Sequence, residues 1–514
     1  ARDLIGGGDL VPMIACTIMV AVSGVAPGGA AQLVYREVVP GTLAMPLLLL
    51  ALWAALRGRF AASAACALAG SVFHPLLGIM TGAVAIFGAA VAVAWRLLRP
   101  TEERPQLRRS LIAAALSLAG FLLLSYLLWF RGYSQELDAR EFIDILVRFR
   151  APHHYLPSAF APLRMIDLFA FFIAMAISLR WFRRRQEASG AVAGGMIGIV
   201  ASVMLLLLGG WFFVEVVPIR AFAAAQAFRF VFIIKWLGLL LFAGTIAHAW
   251  RTEERSAGAG WIIFASHGGL HGSSVLVGHA VELLRRRLSG RLPVEALALL
   301  TAVGLSVATG LWLWQPEPWE AALLAVFATL ALLVLAARRE WLRIAMPIAS
   351  VILLVALLQV NATMHLPFVG AALRQATPKL TMERTHPEMV GVTRFAREAT
   401  EPDALFIGPP ASAHFRLMAR RSLVIDLKCI PFSDAGLVEW YRRIHDCYGP
   451  ISATGFYAWD EAEERWQQVS DVRLRAIAGA YAANYAVLHA TTPTELPEVY
   501  YDAHWRVVSL SGGE

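Results

Sequence analysis

Apolar runs of roughly 20 residues recur along the first two thirds of this chain, and each is long enough to cross a ~30 Å hydrocarbon core. That recurrence leaves little freedom: the chain reads as a polytopic α-helical membrane protein. Composition agrees. Of 514 residues, 58% are hydrophobic and only 16% are charged, with a mean hydropathy of +0.60, whereas soluble domains carry about 25% charged residues. The net charge of +8 sits mostly in short loops between apolar runs. Charge placed that way reads as topology and not as a nucleic-acid surface. Lysine occurs only at Lys235, Lys379 and Lys428, so arginine supplies nearly all the positive charge.

The spans read at 10–25, 41–57, 60–74, 76–97, 110–130, 165–182, 191–214, 229–250, 292–314, 319–337 and 343–361, about 11 in all. Arginine clusters at Arg57 and Arg59, at Arg96 to Arg109, at Arg180 to Arg185, at Arg251 and Arg255, at Arg285 to Arg291 and at Arg338 to Arg343 all fall on one side if these spans alternate. That side is then cytoplasmic. Residues 260–284 are diluted by His, Gly and Ser and read as part of a cytoplasmic-side interfacial segment, 260–291. The alternative is a true span that inverts the downstream half. The opening ARDLIGGGDL lacks both Met and a signal-peptide pattern, so further sequence is expected upstream.

The opposite face gathers the ionisable residues that topology does not explain. It holds Arg36, Glu37, His74, the loop 131–164, Glu215, Arg220, Gln226, Arg229 and everything after about residue 362. Lys235 lies about two turns into the next span. Charged groups at membrane depth are costly and by default mark a site. Arg229 and Lys235 read as an anion clamp suited to a lipid diphosphate, because a guanidinium offers a planar fork and an ammonium a point charge. Snorkelling of the two side chains is the plainer alternative. Arg220 and Arg150 belong with the same phosphate-binding set.

RAPHHYLPS, residues 150–158, places His153 and His154 between two prolines that favour an extended loop. Such a loop could grip a polar head group or act in acid–base chemistry. A divalent metal would need Glu136, Asp138, Glu141 or Asp144 as well, and neither HExxH nor CxxC spacing is present. His74, before Pro75, reads as a structural turn.

From about residue 375 charge becomes dense. ALFIGPP, SLVIDL, YAVLHA and WRVVSL read as strands, and TRFAREA, HFRLMARR and DAGLVEWYRRIHDCYG as helices between them. This predicts a C-terminal extracytoplasmic α/β domain over 363–514 with a mostly parallel sheet, after a transmembrane domain over 1–362. Cys16 and Cys66 read as packing residues within spans. Cys429 and Cys447 share the outer domain, where an oxidising compartment would permit a disulfide.

YREVVPGTLAMPLLLLALWAALRGR resembles an outer-loop-to-span segment of the GT-C superfamily of lipid-linked-sugar glycosyltransferases, which includes oligosaccharyltransferases and protein mannosyltransferases. DALFIGPPASAHFRLMARRSLVIDLKCIPF and YAVLHA with VYYDAHWRVVSL resemble the tail domains of an uncharacterised bacterial branch. The resemblance covers nearly the whole chain and rests on architecture. It implies inverting transfer of a sugar from a polyprenyl-phosphate donor at the outer face of a bacterial inner membrane. It also implies a catalytic carboxylate on the first external loop, which by topology falls upstream of residue 1. Glu37, Glu215, His153 and His154 are the weaker candidates within the chain. The other class of function is a non-catalytic subunit of a larger membrane complex, built on a degenerate scaffold of this kind. A transporter fits less well, since no inverted repeat is visible.

Overall fold

The computed structural model describes residue 4, residues 40–251 and residues 386–510, apart from breaks at 99, 101, 132–135, 161, 185–189, 411–412 and 432. The spans expected at 10–25, 292–314, 319–337 and 343–361, the segment 260–291 and Glu37 lie outside the described residues. In chain order the helices begin with α1 (Pro40–Leu56), α2 (Phe60–Phe73), α3 (Pro75–Leu97) and α4 (Arg104–Ser125). They continue with α5 (Ala139–Ile143), α6 (Pro152–Tyr155), α7 (Pro162–Arg184), α8 (Gly190–Trp211), α9 (Arg220–Ala225) and α10 (Val231–Arg251). The chain then forms α11 (Val390–Ala399), β1 (Leu405–Ile407), α12 (Ala413–Ala419), β2 (Ser422–Leu423) and α13 (Asp434–Tyr448). It closes with α14 (Phe456–Gln467), α15 (Asp471–Tyr481), β3 (Tyr485–His489), β4 (Glu498–Tyr501) and β5 (Trp505–Ser509).

These elements form two compact units. The first comprises residues 1–132, 160–210 and 225–378, and the second 133–159, 211–224 and 379–514. Among the described residues, four helical stretches are long and apolar enough to cross a membrane: Pro75–Leu97, Arg104–Trp129, Gly190–Val216 and Arg220–Gly244. Pro40–Leu56 and Phe60–Phe73 are apolar but shorter.

The first unit is held by close helix contact and by an apolar core. α3 and α8 meet backbone to backbone, for a Cβ on Gly88 would lie 2.5 Å from the Cα of Ile199 and one on Gly198 would strike the carbonyl of Gly88. Small residues permit this approach where apolar burial from water cannot drive association. α4 is the opposite case. Ile112, Leu116 and Leu123 are exposed along it, which suits a helix solvated by lipid. The indole of Trp129 donates to the Ser71 hydroxyl at 3.2 Å, and Ser71 donates to the Leu68 carbonyl at 2.7 Å, so these polar groups stay satisfied. α10 is the most enclosed helix, with every side chain from Val231 to Ala243 except Gly238 and Lys235 contributing buried apolar surface.

The second unit is an α/β fold around a five-stranded sheet of order β2-β1-β3-β5-β4. β1 pairs in parallel with β2 and β3, while β5 runs antiparallel to β3 and β4. The sheet is therefore mixed, which corrects the mostly parallel sheet expected from sequence. The cause is a local hairpin: Asp502 accepts from the backbone N–H groups of His504 and Trp505 at 2.8 Å each and turns β4 directly into β5. α13 shows why this region is helical. Ser433 caps its N-terminus by accepting from Gly436. Leu437, Trp440, Ile444, Cys447 and Tyr448 recur at helical spacing and are buried. Glu439, Arg442, Arg443 and Asp446 pair with one another on the other face.

The loop expected at 131–164 is not an isolated connection. Phe142, Ile145, Val147 and Phe149 enter the same core as Trp440 and Leu437, joined by Val214 and Ala223 from the 211–224 segment. Phe149 meets Trp440 edge-on at 6.1 Å and Tyr441 at 5.0 Å. Most of this loop, which sequence assigned to the transmembrane domain, thus belongs to the α/β unit.

Candidate functional site

In the first unit the candidate site lies at the head of α10. The chain enters it through Gln226, whose backbone is left-handed at φ 48, followed by a single tight turn, Ala227–Phe230. Arg229 sits on that turn. Its Nε is sealed from solvent and has no hydrogen-bond partner among the described residues, and the Gln226 Oε1 is in the same condition. Buried polar atoms are normally satisfied, so each unpaired one calls for a reason. Lys235 follows in the second turn of α10 and is only 1% exposed. An amine so enclosed does not run along a lipid-facing surface, which removes snorkelling as its explanation.

His74 joins this group. Its Nδ1 accepts from the backbone N–H of Leu77 at 3.4 Å and caps α3, where Pro75 supplies the first helical residue. The structural turn read from sequence is therefore present. The same ring also stands within electrostatic range of Arg229. Two cations, an amide and an imidazole thus share one unit, and the Nε of Arg229 has no acceptor among the described residues. Such an arrangement can accept a phosphate and stabilise negative charge on it.

The remaining sequence candidates fall in the second unit. Glu215 accepts from the Ser158 backbone at 3.1 Å and from its hydroxyl at 2.6 Å, so it anchors the loop. Arg220 is buried and paired with Asp434, with one contact at 2.7 Å from Nη1. Its fork is committed within the protein, which corrects its place among the phosphate ligands. Asp434 also accepts from the backbone N–H groups of Glu136 and Leu137 at 2.8 Å each. The Arg220 fork, outweighing burial, holds the Asp434 carboxyl down at about 2.

Arg150 lies over the Trp459 ring at 5.3 Å, His153 stacks on Phe456 at 4.1 Å, and His153 and His154 are 4.2 Å apart. Among the described residues no group of three or more His, Cys, Asp or Glu side chains is placed to hold a metal ion. Of the acids considered for a metal, Asp144 pairs with Arg148 at 2.7 Å and Asp138 caps α5. The expected disulfide is absent: Cys429 and Cys447 are free thiols, the first exposed and the second buried near the end of α13. Cys447 belongs to the apolar face of its helix, which directs its sulfur into the core.

Residues 387–447 match a domain of unknown function, DUF6798. The match runs from the turn before α11 to Cys447 and so includes Asp434, but it reaches none of the residues at the head of α10. No curated protein matches the chain, and no solved structure does.

Sequence reasoning missed Asp434, Trp459 and Phe456. The run GFYAW, three aromatic residues within five positions, was the available signal for two of them. Asp434 carried none, since it reads as an ordinary acidic residue in the first turn of a helix.

Proposed function

We propose that the chain is a GT-C-like membrane glycosyltransferase of the bacterial inner membrane, which moves a sugar from a polyprenyl-phosphate donor on the extracytoplasmic face. The observation that carries this reading is Arg229 on the turn that leads into α10, with its Nε sealed and without a partner among the described residues, just ahead of the buried Lys235. In the reaction the bond from the anomeric carbon to the phosphate oxygen breaks, and its electron pair stays with the phosphate. The acceptor oxygen bonds to that carbon from the opposite side and gives its proton to a base. Arg229 and Lys235 stabilise the charge that grows on the leaving phosphate, where pre-placed donors are worth most. His74 and Gln226 line the same region.

The test is transfer by the full chain in lipid vesicles from a polyprenyl-phosphate-linked sugar. Arg229→Ala is expected to lower the turnover by about 10²-fold or more, the usual effect of losing one such donor. Transfer that is unchanged in Arg229→Ala would remove this site from the reaction.

The commitment of Glu215 to Ser158 and of Arg220 to Asp434 favours a second reading, a non-catalytic subunit of a membrane complex. Both groups then serve to hold the fold. Co-purification of one protein in fixed ratio, with no transfer by the wild-type assembly, would select it.

A further inference from the structure

Arg150 is largely buried, yet no acceptor takes a hydrogen bond from its guanidinium among the described residues, and its Nε is sealed. A desolvated cation is normally paired with a carboxylate, because removing it from water costs several kcal/mol otherwise. Its guanidinium lies over the Trp459 ring at 5.3 Å, and Tyr155 and Cys429 are within electrostatic range. That indole is likewise unsatisfied, for its Nε1 is buried without an acceptor among the described residues. The carboxylate within electrostatic range of Arg150 is Asp426, but its oxygens are occupied. Oδ1 accepts from the backbone of Lys428 at 2.8 Å and of Cys429 at 2.6 Å, and Oδ2 faces Arg416 at 3.5 Å. Two guanidinium groups therefore share one carboxylate, and the corner carries an excess positive charge.

Trp459 links this cation to an aromatic shelf, for its ring meets Phe456 edge-on at 6.1 Å. Gly455 has φ +62, and its N–H donates to the Phe149 carbonyl at 2.7 Å. A Cβ there would lie 3.1 Å from the Cγ of Pro152, so only glycine fits comfortably at this crossing. The crossing sets Phe456 nearly flat on His153, with 22° between the rings, while Phe456 stays 60% exposed and Tyr457 76%. Glu461 fixes the approach by accepting from the backbone N–H groups of Ser452 and Ala453. A flat apolar ring one indole away from a guanidinium without a hydrogen-bond acceptor among the described residues matches a ligand with one C–H-lined face and one oxyanion.

We propose that Arg150, Trp459, Phe456 and His153 form a binding site for an acidic sugar, a pyranose bearing a carboxylate or a phosphate. The guanidinium takes the oxyanion, and the Phe456 shelf takes the C–H face of the ring. Calling this the acceptor site rests on the transfer reaction proposed above, whereas the binding itself does not.

The experiment is equilibrium binding to the full chain in nanodiscs, with no lipid-linked donor present, of methyl glucuronide, glucose 1-phosphate, methyl glucoside and inorganic phosphate. The acidic sugars are expected to bind at least tenfold more tightly than methyl glucoside or inorganic phosphate. Preference for the glucuronide over glucose 1-phosphate, or the reverse, assigns the oxyanion. Arg150→Gln is expected to abolish the preference for acidic over neutral sugar, and Phe456→Ala, at an exposed ring, to weaken both acidic sugars. The site is overturned by equal binding of glucoside and glucuronide, by inorganic phosphate binding as tightly as the sugars, by no binding at all, or by acidic-sugar binding that Phe456→Ala leaves intact. Acidic-sugar binding by a chain that shows no transfer would leave this inference standing and remove the enzymatic one.

Discussion

Asp434 and Arg220 stand 214 positions apart in the chain and form a buried, two-pronged ion pair. The same carboxylate accepts the backbone N–H groups of Glu136 and Leu137, so one side chain fastens three separate stretches of the second unit.

Breaking that pair leaves one buried charge alone. Asp434→Asn is expected to destabilise the α/β unit by about 3–5 kcal/mol, the usual consequence of removing one partner of a buried pair. Chemical denaturation of the full chain in detergent, followed by maleimide labelling of the buried Cys447, measures it. An effect below about 1 kcal/mol would place the pair among weak surface contacts.

The same group sets an acid limit. Its carboxyl is held at about 2 in the folded protein, below the ordinary 3.8. A depressed carboxylate contributes stability that is complete above its unfolded value and is lost as pH falls through the folded one. Stability from this pair is therefore expected to hold above pH 5 and to decline between about pH 4 and pH 2. Asp434→Asn should flatten that part of a stability–pH curve.

Thiol chemistry separates the two cysteines of this unit. Burial raises both thiols, Cys447 to about 12 and Cys429 less so, with Asp426 adding to the latter. Cys429 is exposed and Cys447 is not. Under non-reducing conditions a maleimide at pH 8 should label Cys429 slowly in the folded protein and Cys447 only after unfolding. Failure of both to react after unfolding without reductant would mean that they are bonded after all.

The glycine contact between α3 and α8 admits no side chain. Gly198→Leu is expected to lower the melting temperature of the first unit, with a cost of about 1–3 kcal/mol or more from overpacking. Gly198→Ala should cost less, because the intruding group is smaller. Thermal unfolding in detergent checks the order.

Much of the helical framework was legible because hydrocarbon-facing helices declare themselves by length and apolarity, as at Pro75–Leu97 and Gly190–Val216. The α/β unit was legible where a short apolar run lies between turns, as at Tyr485–His489, whose three central residues are all buried. SLVIDL misled in part: the strand stops at Leu423, and Asp426 bends the rest by capturing its own downstream N–H groups. β4 escaped notice because it is an edge strand with mostly exposed side chains. The site was less legible than the fold. Arg229 and Lys235 stood out because charge at membrane depth is costly whatever surrounds it. The same reasoning misjudged Arg220, since a local reading of charge has no access to a partner so distant in sequence.

The discontinuity of the α/β unit bears on how the protein is made. Its early pieces, 133–159 and 211–224, leave the ribosome long before residues 379–514 exist. Until α13 is synthesised, Arg220 lacks the Asp434 carboxylate, and Phe142, Ile145 and Phe149 lack Trp440 and Leu437. Biogenesis must therefore keep these side chains from wrong partners while the intervening chain is threaded. Truncation anywhere before Asp434 should leave a nascent product that quality-control proteases destroy.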